Sequence, residues 1–175
     1  MFPIQARFSL TIEDFRRASY FGFIKRMRTA LRVMSAVIVG ALVYTVVQYV
    51  ARGRVDYLGL FVVAAYVVWL AYQLARVERG IRAYYLSVES LLGCEQTILF
   101  ERDRLRIVIA AKKIDISQPY QQLAFAFELS SLFLVYVTAE AVYVVPKRSL
   151  SDDDVRSVRA LLRRKLADRF ESRYG

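Results

Sequence analysis

Residues 33–51 read VMSAVIVGALVYTVVQYVA and residues 57–75 read YLGLFVVAAYVVWLAYQLA. Neither stretch contains Asp, Glu, Lys or Arg. At about 1.5 Å per helical residue each covers roughly 28 Å, close to the ~30 Å hydrocarbon core of a bilayer. Val, Leu, Ile and Ala occur all the way round both, without the polar face that a soluble surface helix keeps. The remainder of a 175-residue chain is too small to wrap two such helices as a buried hairpin. The two stretches are therefore expected to cross a membrane.

Arg52-Gly53-Arg54-Val55-Asp56 separates them, which predicts a tight antiparallel hairpin with both chain ends on one side. Arg16, Arg17, Lys25, Arg26, Arg28 and Arg32 precede the first span, and Arg76, Arg79 and Arg82 follow the second. The loop holds only Arg52 and Arg54, so the positive-inside rule predicts cytoplasmic termini. The first apolar stretch begins too late and runs too long for a cleaved signal peptide, and reads as an uncleaved anchor. Tyr49 and Tyr57 suit one interfacial belt; Trp69, Tyr72, Tyr84 and Tyr85 suit the other. The absence of ionisable residues within the spans argues against a transporter or pump. Thr45, Gln48 and Gln73 are their strongly polar side chains. Ala36 and Gly40 in the first span, and Ala71 and Ala75 in the second, are small pairs four apart. They are expected to pack the hairpin or to form a homo-oligomer contact.

Composition agrees. Hydrophobic residues make up 57%, above the roughly 45–50% of soluble domains. Against that, 26 Lys/Arg and 16 Asp/Glu leave a net charge of +10. Orientation in a membrane accounts for much of this excess, so no nucleic-acid partner is expected. The chain has no His, which removes the commonest general base and metal ligand. Its single Cys, Cys94, excludes an internal disulfide and any multi-Cys metal site. No cofactor, no metal and no catalytic residues are expected, and an enzyme is the least favoured class.

In the N-terminal segment, Phe8-Ser9-Leu10 reads as a short extended piece. Thr11 then caps a helix, with Asp14 three residues on. Ile12, Phe15, Ser19, Phe23, Met27, Ala30 and Met34 trace one face, and Asp14, Arg17, Lys25, Arg28 and Arg32 the other. Such a basic amphipathic helix over the stretch to residue 32 is expected to lie in the inner interface or to pack on the cytoplasmic domain.

Beyond Tyr85 the pattern turns to short strands: 97–100, 104–109, 114–116, 123–129, 132–138 and 141–145. Leu123, Phe125, Phe127 and Leu129 line one face of the fourth, leaving Ala124, Ala126 and Glu128 on the other. The turns are expected beside Asp103, at 111–113 and at Ala139-Glu140. Ser151 followed by Asp152, Asp153 and Asp154 is a strong helix start. Val155, Val158, Leu162, Leu166 and Phe170 form the helix's stripe; Arg163, Arg164, Lys165, Arg169 and Arg173 fill its last part. The expected fold class is thus α+β: a two-helix transmembrane hairpin, then a cytoplasmic antiparallel β domain over 87–175, closed by a C-terminal helix.

Phe8-Ser9-Leu10-Thr11-Ile12-Glu13-Asp14 at the start, two spans, and Val142-Tyr143-Val144-Val145-Pro146-Lys147-Arg148 before Ser151-Asp152 resemble the YcxB-like family of bacterial membrane proteins. The closing Pro146, Lys147 and Arg148 are the most telling part. The resemblance implies a pleckstrin-homology-like β domain and a bacterial inner-membrane location, and brings no biochemical activity. Members often carry a Trp where this chain has Ile114-Asp115-Ile116-Ser117-Gln118-Pro119-Tyr120.

Glu101, Asp103, Asp115, Glu128 and Glu140 are expected in turns, at strand edges or on exposed faces, in solvated structural roles. Arg102, Arg104, Arg106, Lys112 and Lys113 surround two consecutive strand turns. As a rim at one end of the barrel they form a candidate anionic-lipid site; the plainer reading is solubilising charge. Lys147 and Arg148 read as a lead-in to the last helix rather than a ligand clamp. The functional expectation is a membrane-anchored adaptor or regulatory module that binds an unknown protein partner or its own copy. The alternatives are anionic-lipid recognition or membrane sensing, and a small oligomeric pore.

Overall fold

The computed structural model describes residues 3–53, 57–87, 90–138 and 141–172. Arg54, Val55 and Asp56 of the expected loop, the expected Ala139-Glu140 turn and Arg173 lie outside them. The described chain is α+β and divides into two units, residues 1–18 with 89–175 and residues 19–88.

The helical unit is dominated by two long apolar helices. Helix α1 runs Ile12–Arg52 and α2 Tyr57–Leu86. The sequence reading separates an interfacial helix ending at residue 32 from the first span. The structure instead has one hydrogen-bonded helix of 41 residues, about 60 Å long. The reason is local: no Pro occurs between Pro3 and Pro119, and the charged residues of 25–32 are good helix formers. α2 likewise continues past the apolar stretch, through Arg76, Arg79 and Arg82 to Leu86.

Met27, Leu31, Met34, Ile38, Ala41, Thr45 and Gln48 are half-buried on α1, in alternating steps of four and three. Gly59, Val62, Tyr66, Trp69 and Gln73 repeat the same steps on α2. That spacing is the seam of two helices packed at a shallow angle. Gly59 is its tightest point: a Cβ there would lie 2.9 Å from the Ala41 carbonyl oxygen and would overlap Thr45 Oγ1. Tyr20 and Glu78 hydrogen-bond at 2.9 Å in the part beyond the apolar stretches.

In the other unit, β1 (Ile4–Ser9), β2 (Glu95–Phe100), β3 (Arg104–Ile109) and β4 (Ile114–Pro119) form an antiparallel sheet in that order. β5 (Phe125–Glu128), β6 (Leu132–Tyr136) and β7 (Val142–Pro146) form a second meander, and β8 (Phe170–Ser172) adds to β5 in parallel. Among the described residues, the six strands expected of the domain are joined by the expected short N-terminal strand, here Ile4–Ser9, and by β8, which was not expected. The N-terminal piece is a sheet strand because Ile4, Ala6 and Phe8 alternate with exposed positions and bury one face.

Helix α3 (Asp152–Leu166) starts where expected, with Ser151 Oγ accepting from the Asp154 N–H at 3.1 Å. It buries Val158, Leu161, Leu162 and Leu166. Phe170 does not extend the stripe. The chain leaves the helix through Ala167 at φ 48°, and Phe170 opens β8. Arg169 Nη1 holds this turn by donating to the Leu123 carbonyl at 2.7 Å.

Candidate functional site

β5 lies inside its sheet, between β6 and β8, and both its faces are covered. Glu128 was expected on an exposed face; it is fully buried. Alternation put it opposite Phe125 and Phe127 correctly, but that second face is buried too. Three elements bring polar partners to it. Lys147 Nζ, just after β7, donates to Oε1 at 2.6 Å. From α3, Arg159 donates Nε to Oε2 at 2.7 Å and Nη2 to Oε1 at 2.5 Å. From β8, Ser172 Oγ donates to Oε2 at 2.8 Å. Burial pushes the Glu128 carboxyl up, and the bonds from Arg159, Lys147 and Ser172 more than reverse this, lowering it to about 2. Lys147 Nζ also lies 5.0 Å from the centre of the Phe133 ring.

Arg148, the next residue, turns to a different acid. Its Nη1 and Nη2 donate to Asp14 Oδ1 and Oδ2 at 2.7 and 2.6 Å, and Nη2 reaches the Ser9 carbonyl at 3.3 Å. Asp14 is the acid of the predicted capping box. It accepts from Thr11 Oγ1 at 2.8 Å and from the Thr11 N–H at 3.1 Å, while its own N–H donates to Thr11 Oγ1 at 3.3 Å. Burial opposes ionisation of Asp14, and the bonds from Arg148 and Thr11 outweigh it, so its carboxyl sits below the ordinary range. Arg17 adds a bond to Ser131 Oγ at 2.9 Å. Lys147 and Arg148 thus tie β5 and the first turn of α1 to the end of β7. The dipeptide is an internal staple, and its partners are 19 and 134 residues away.

A double-mutant cycle tests the second tie. Arg148 is half-exposed, so solvent screens the pair. Asp14→Asn and Arg148→Met are expected to couple by about 1 kcal/mol in chemical denaturation. Strictly additive losses would show that the pair contributes nothing.

The five cations of the expected rim do not share an end of the sheet. Arg102 and Arg104 flank the β2–β3 turn, and Lys112 and Lys113 the β3–β4 turn. Successive turns of an antiparallel meander lie at opposite ends, roughly 17 Å apart along six-residue β3. Arg106 lies between them and pairs with Asp115 at 2.6 and 2.9 Å. At the first turn Asp103 accepts from Lys165 at 2.8 Å, and Arg104 approaches Glu101 to 3.7 Å. The Lys165 bond lowers the Asp103 carboxyl, Arg106 lowers that of Asp115, and Asp115 raises the Arg106 guanidinium. An open cleft of about 360 Å³ at this end is lined by Asp103, Arg104, Ser117, Pro119 and Gln121.

The small pairs do not make the hairpin seam either. Ala36, Gly40, Ala71 and Ala75 are all exposed, and a Cβ on Gly40 would meet nothing within 4 Å. Gly59 takes the role expected of them. The sequence carries a weak signal for it: Gly59 lies within α2's apolar stretch, but no second small residue stands four positions away. Among the described residues no group of acids and Cys is placed to hold a metal ion. No protein-family model, curated protein or solved structure matches the chain.

Proposed function

We propose that α1 and α2 anchor this chain in a bilayer as a hairpin and that the β unit is a protein-interaction or regulatory module on its cytoplasmic side. One observation carries the reading. The most apolar windows of α1 and α2 have mean hydropathy 2.0 and 1.9, yet only 0% and 6% of their residues are buried. A core helix of a soluble protein meets the first condition and fails the second. Val39, Val43, Val46, Val50, Leu58, Phe61 and Val68 turn away from the seam, into what a lipid phase would supply. The excess of Lys and Arg up to residue 32 and after residue 75 supports cytoplasmic termini. The β1–β4 meander, the β5–β7 meander and the helix after β7 support a pleckstrin-homology-like reading, and with it the resemblance to the YcxB-like family.

The lipid-rim alternative loses the single rim it requires. The pore alternative needs a polar lining, whereas Thr45, Gln48 and Gln73 are half-buried at seam positions. The full chain is expected to stay in the membrane pellet after alkaline washing, and a reporter after residue 175 to resist protease added from outside. Release of the chain by the wash would overturn the anchor.

A further inference from the structure

We infer that β4 is a self-association edge, pairing antiparallel with β4 of a second copy across a twofold axis at Ile116. The inference rests on the bilayer reading only for confining two copies to one surface.

Four strands end the two sheets: β1, β4, β7 and β8. Every second residue of such a strand turns its N–H and C=O outward, and proteins usually guard that row. β1 carries Arg7 and is capped at Ser9 by Arg148. β8 is only three residues long. β7 buries Val144, Val145 and Pro146. β4 differs from all three. It has six residues, no Lys, Arg or Gly, Pro only at its last position, and no buried residue. Among the described residues its only strand partner is β3, in unbroken register from Ile109↔Ile114 to Arg104↔Pro119.

The register also fixes what a second copy would meet. With the axis at Ile116, each strand sets Asp115 opposite the other's Ser117, and Ile114 opposite Gln118. No like charges face each other across the new pair. On the outer face the row would run Arg106, Ser117, then Asp115 of the second copy, so each acid gains a cation two strands away. On the inner face Ile107 and Ile116 would meet their own counterparts as an unbroken apolar row. A symmetric strand pair of this kind is isologous and closes as a dimer. A six-residue edge buries less than a standard interface, and confinement to a membrane supplies the effective concentration that makes up for it.

The test uses the full chain in phosphatidylcholine vesicles, with Cys94→Ser as background. Opposed Cα atoms in an antiparallel pair lie about 4.5–5.5 Å apart, within disulfide reach. Ile116→Cys should therefore be captured as a dimer on mild oxidation. Ile114→Cys should not, because its two copies would be roughly 13 Å apart. Charge at position 117 gives a second readout. Within one chain Ser117 faces Arg106, so Ser117→Glu should stabilise the fold and Ser117→Lys should weaken it. Across the axis the signs reverse, because the partner is Asp115. Ser117→Glu should raise the dimer dissociation constant and Ser117→Lys lower it, each by roughly threefold to tenfold because the axis repeats every pair twice. No capture at position 116, equal capture at 114, or both charge variants shifting association the same way would overturn the inference. Alkaline washing of the same vesicles separates the two proposals. Retention without capture sinks the pairing alone; capture by a chain that washes off sinks the bilayer anchor alone.

Discussion

Replacing Glu128 by Gln is expected to cost the β unit about 3 kcal/mol at neutral pH. The folded carboxyl sits at about 2, against 4.5 in its unperturbed state. At ~1.4 kcal/mol per tenfold change in the ionisation constant, that difference is worth at most roughly 3.5 kcal/mol, and relaxation around Gln brings the expected cost to about 3. Gln keeps the shape and removes the charge, leaving Lys147 and Arg159 side by side without an anion. Over a unit of this size the melting temperature should drop by roughly 10–20 °C. Because the folded pKa is depressed, the contribution is complete above about pH 4.5 and is lost as the pH falls towards 2. Parent and variant unfolding midpoints should therefore differ at pH 7 and converge on acidification. A gap that stays constant down to pH 2 would show that the ion cluster is not its origin. Arg159→Met should cost more than Lys147→Met, because Arg159 makes two of the bonds and Lys147 one. Either should move the onset of acid sensitivity upward, since the remaining cation holds the carboxyl less firmly.

The second large effect is expected in the helical hairpin. Gly59→Leu should separate α1 from α2 and cost about 3 kcal/mol, the upper end for overpacking. The obstacle includes main chain, the Ala41 carbonyl oxygen at 2.9 Å from the new Cβ. Thr45 cannot simply swing aside, because its Oγ1 donates to that same carbonyl at 2.9 Å. Disulfide capture between Cys residues placed on the two helices should fall in the variant. Pairing Gly59→Ala with Thr45→Ala should recover part of the loss and not all of it, since the carbonyl remains. Gly40→Ala is the contrasting control. Its Cβ meets nothing, and Ala favours the helix by up to about 1 kcal/mol, so packing should be unchanged or slightly firmer. A Gly40→Ala loss as large as that of Gly59→Leu would reinstate the small-residue pair as the contact.

What the sequence determined by itself was whatever depends on neighbours along the chain. Two charge-free stretches of nineteen residues specify two long apolar helices. The alternation of Leu105, Ile107 and Ile109 specifies β3, and Ser151 before three acids specifies the start of α3. Thr11 and Asp14 announced a helix start that the structure keeps. Tertiary structure decided everything that depends on what lies across from a residue. Period-two alternation assigns Glu128 to the face opposite Phe127, but only the position of β5 between β6 and β8, with Arg159 on α3, buries that face and supplies its cations. Lys147 and Arg148 are adjacent in sequence and serve acids at 128 and 14, a pairing that no local pattern encodes. Of five cations close in sequence, two fall at each end of a meander and Arg106 between them, because each antiparallel turn reverses the chain. Small residues at helical spacing mark where helices are able to approach. Which of them do approach, Gly59 rather than Gly40, is fixed by the rotation of one helix against the other, and that rotation is a property of the pair.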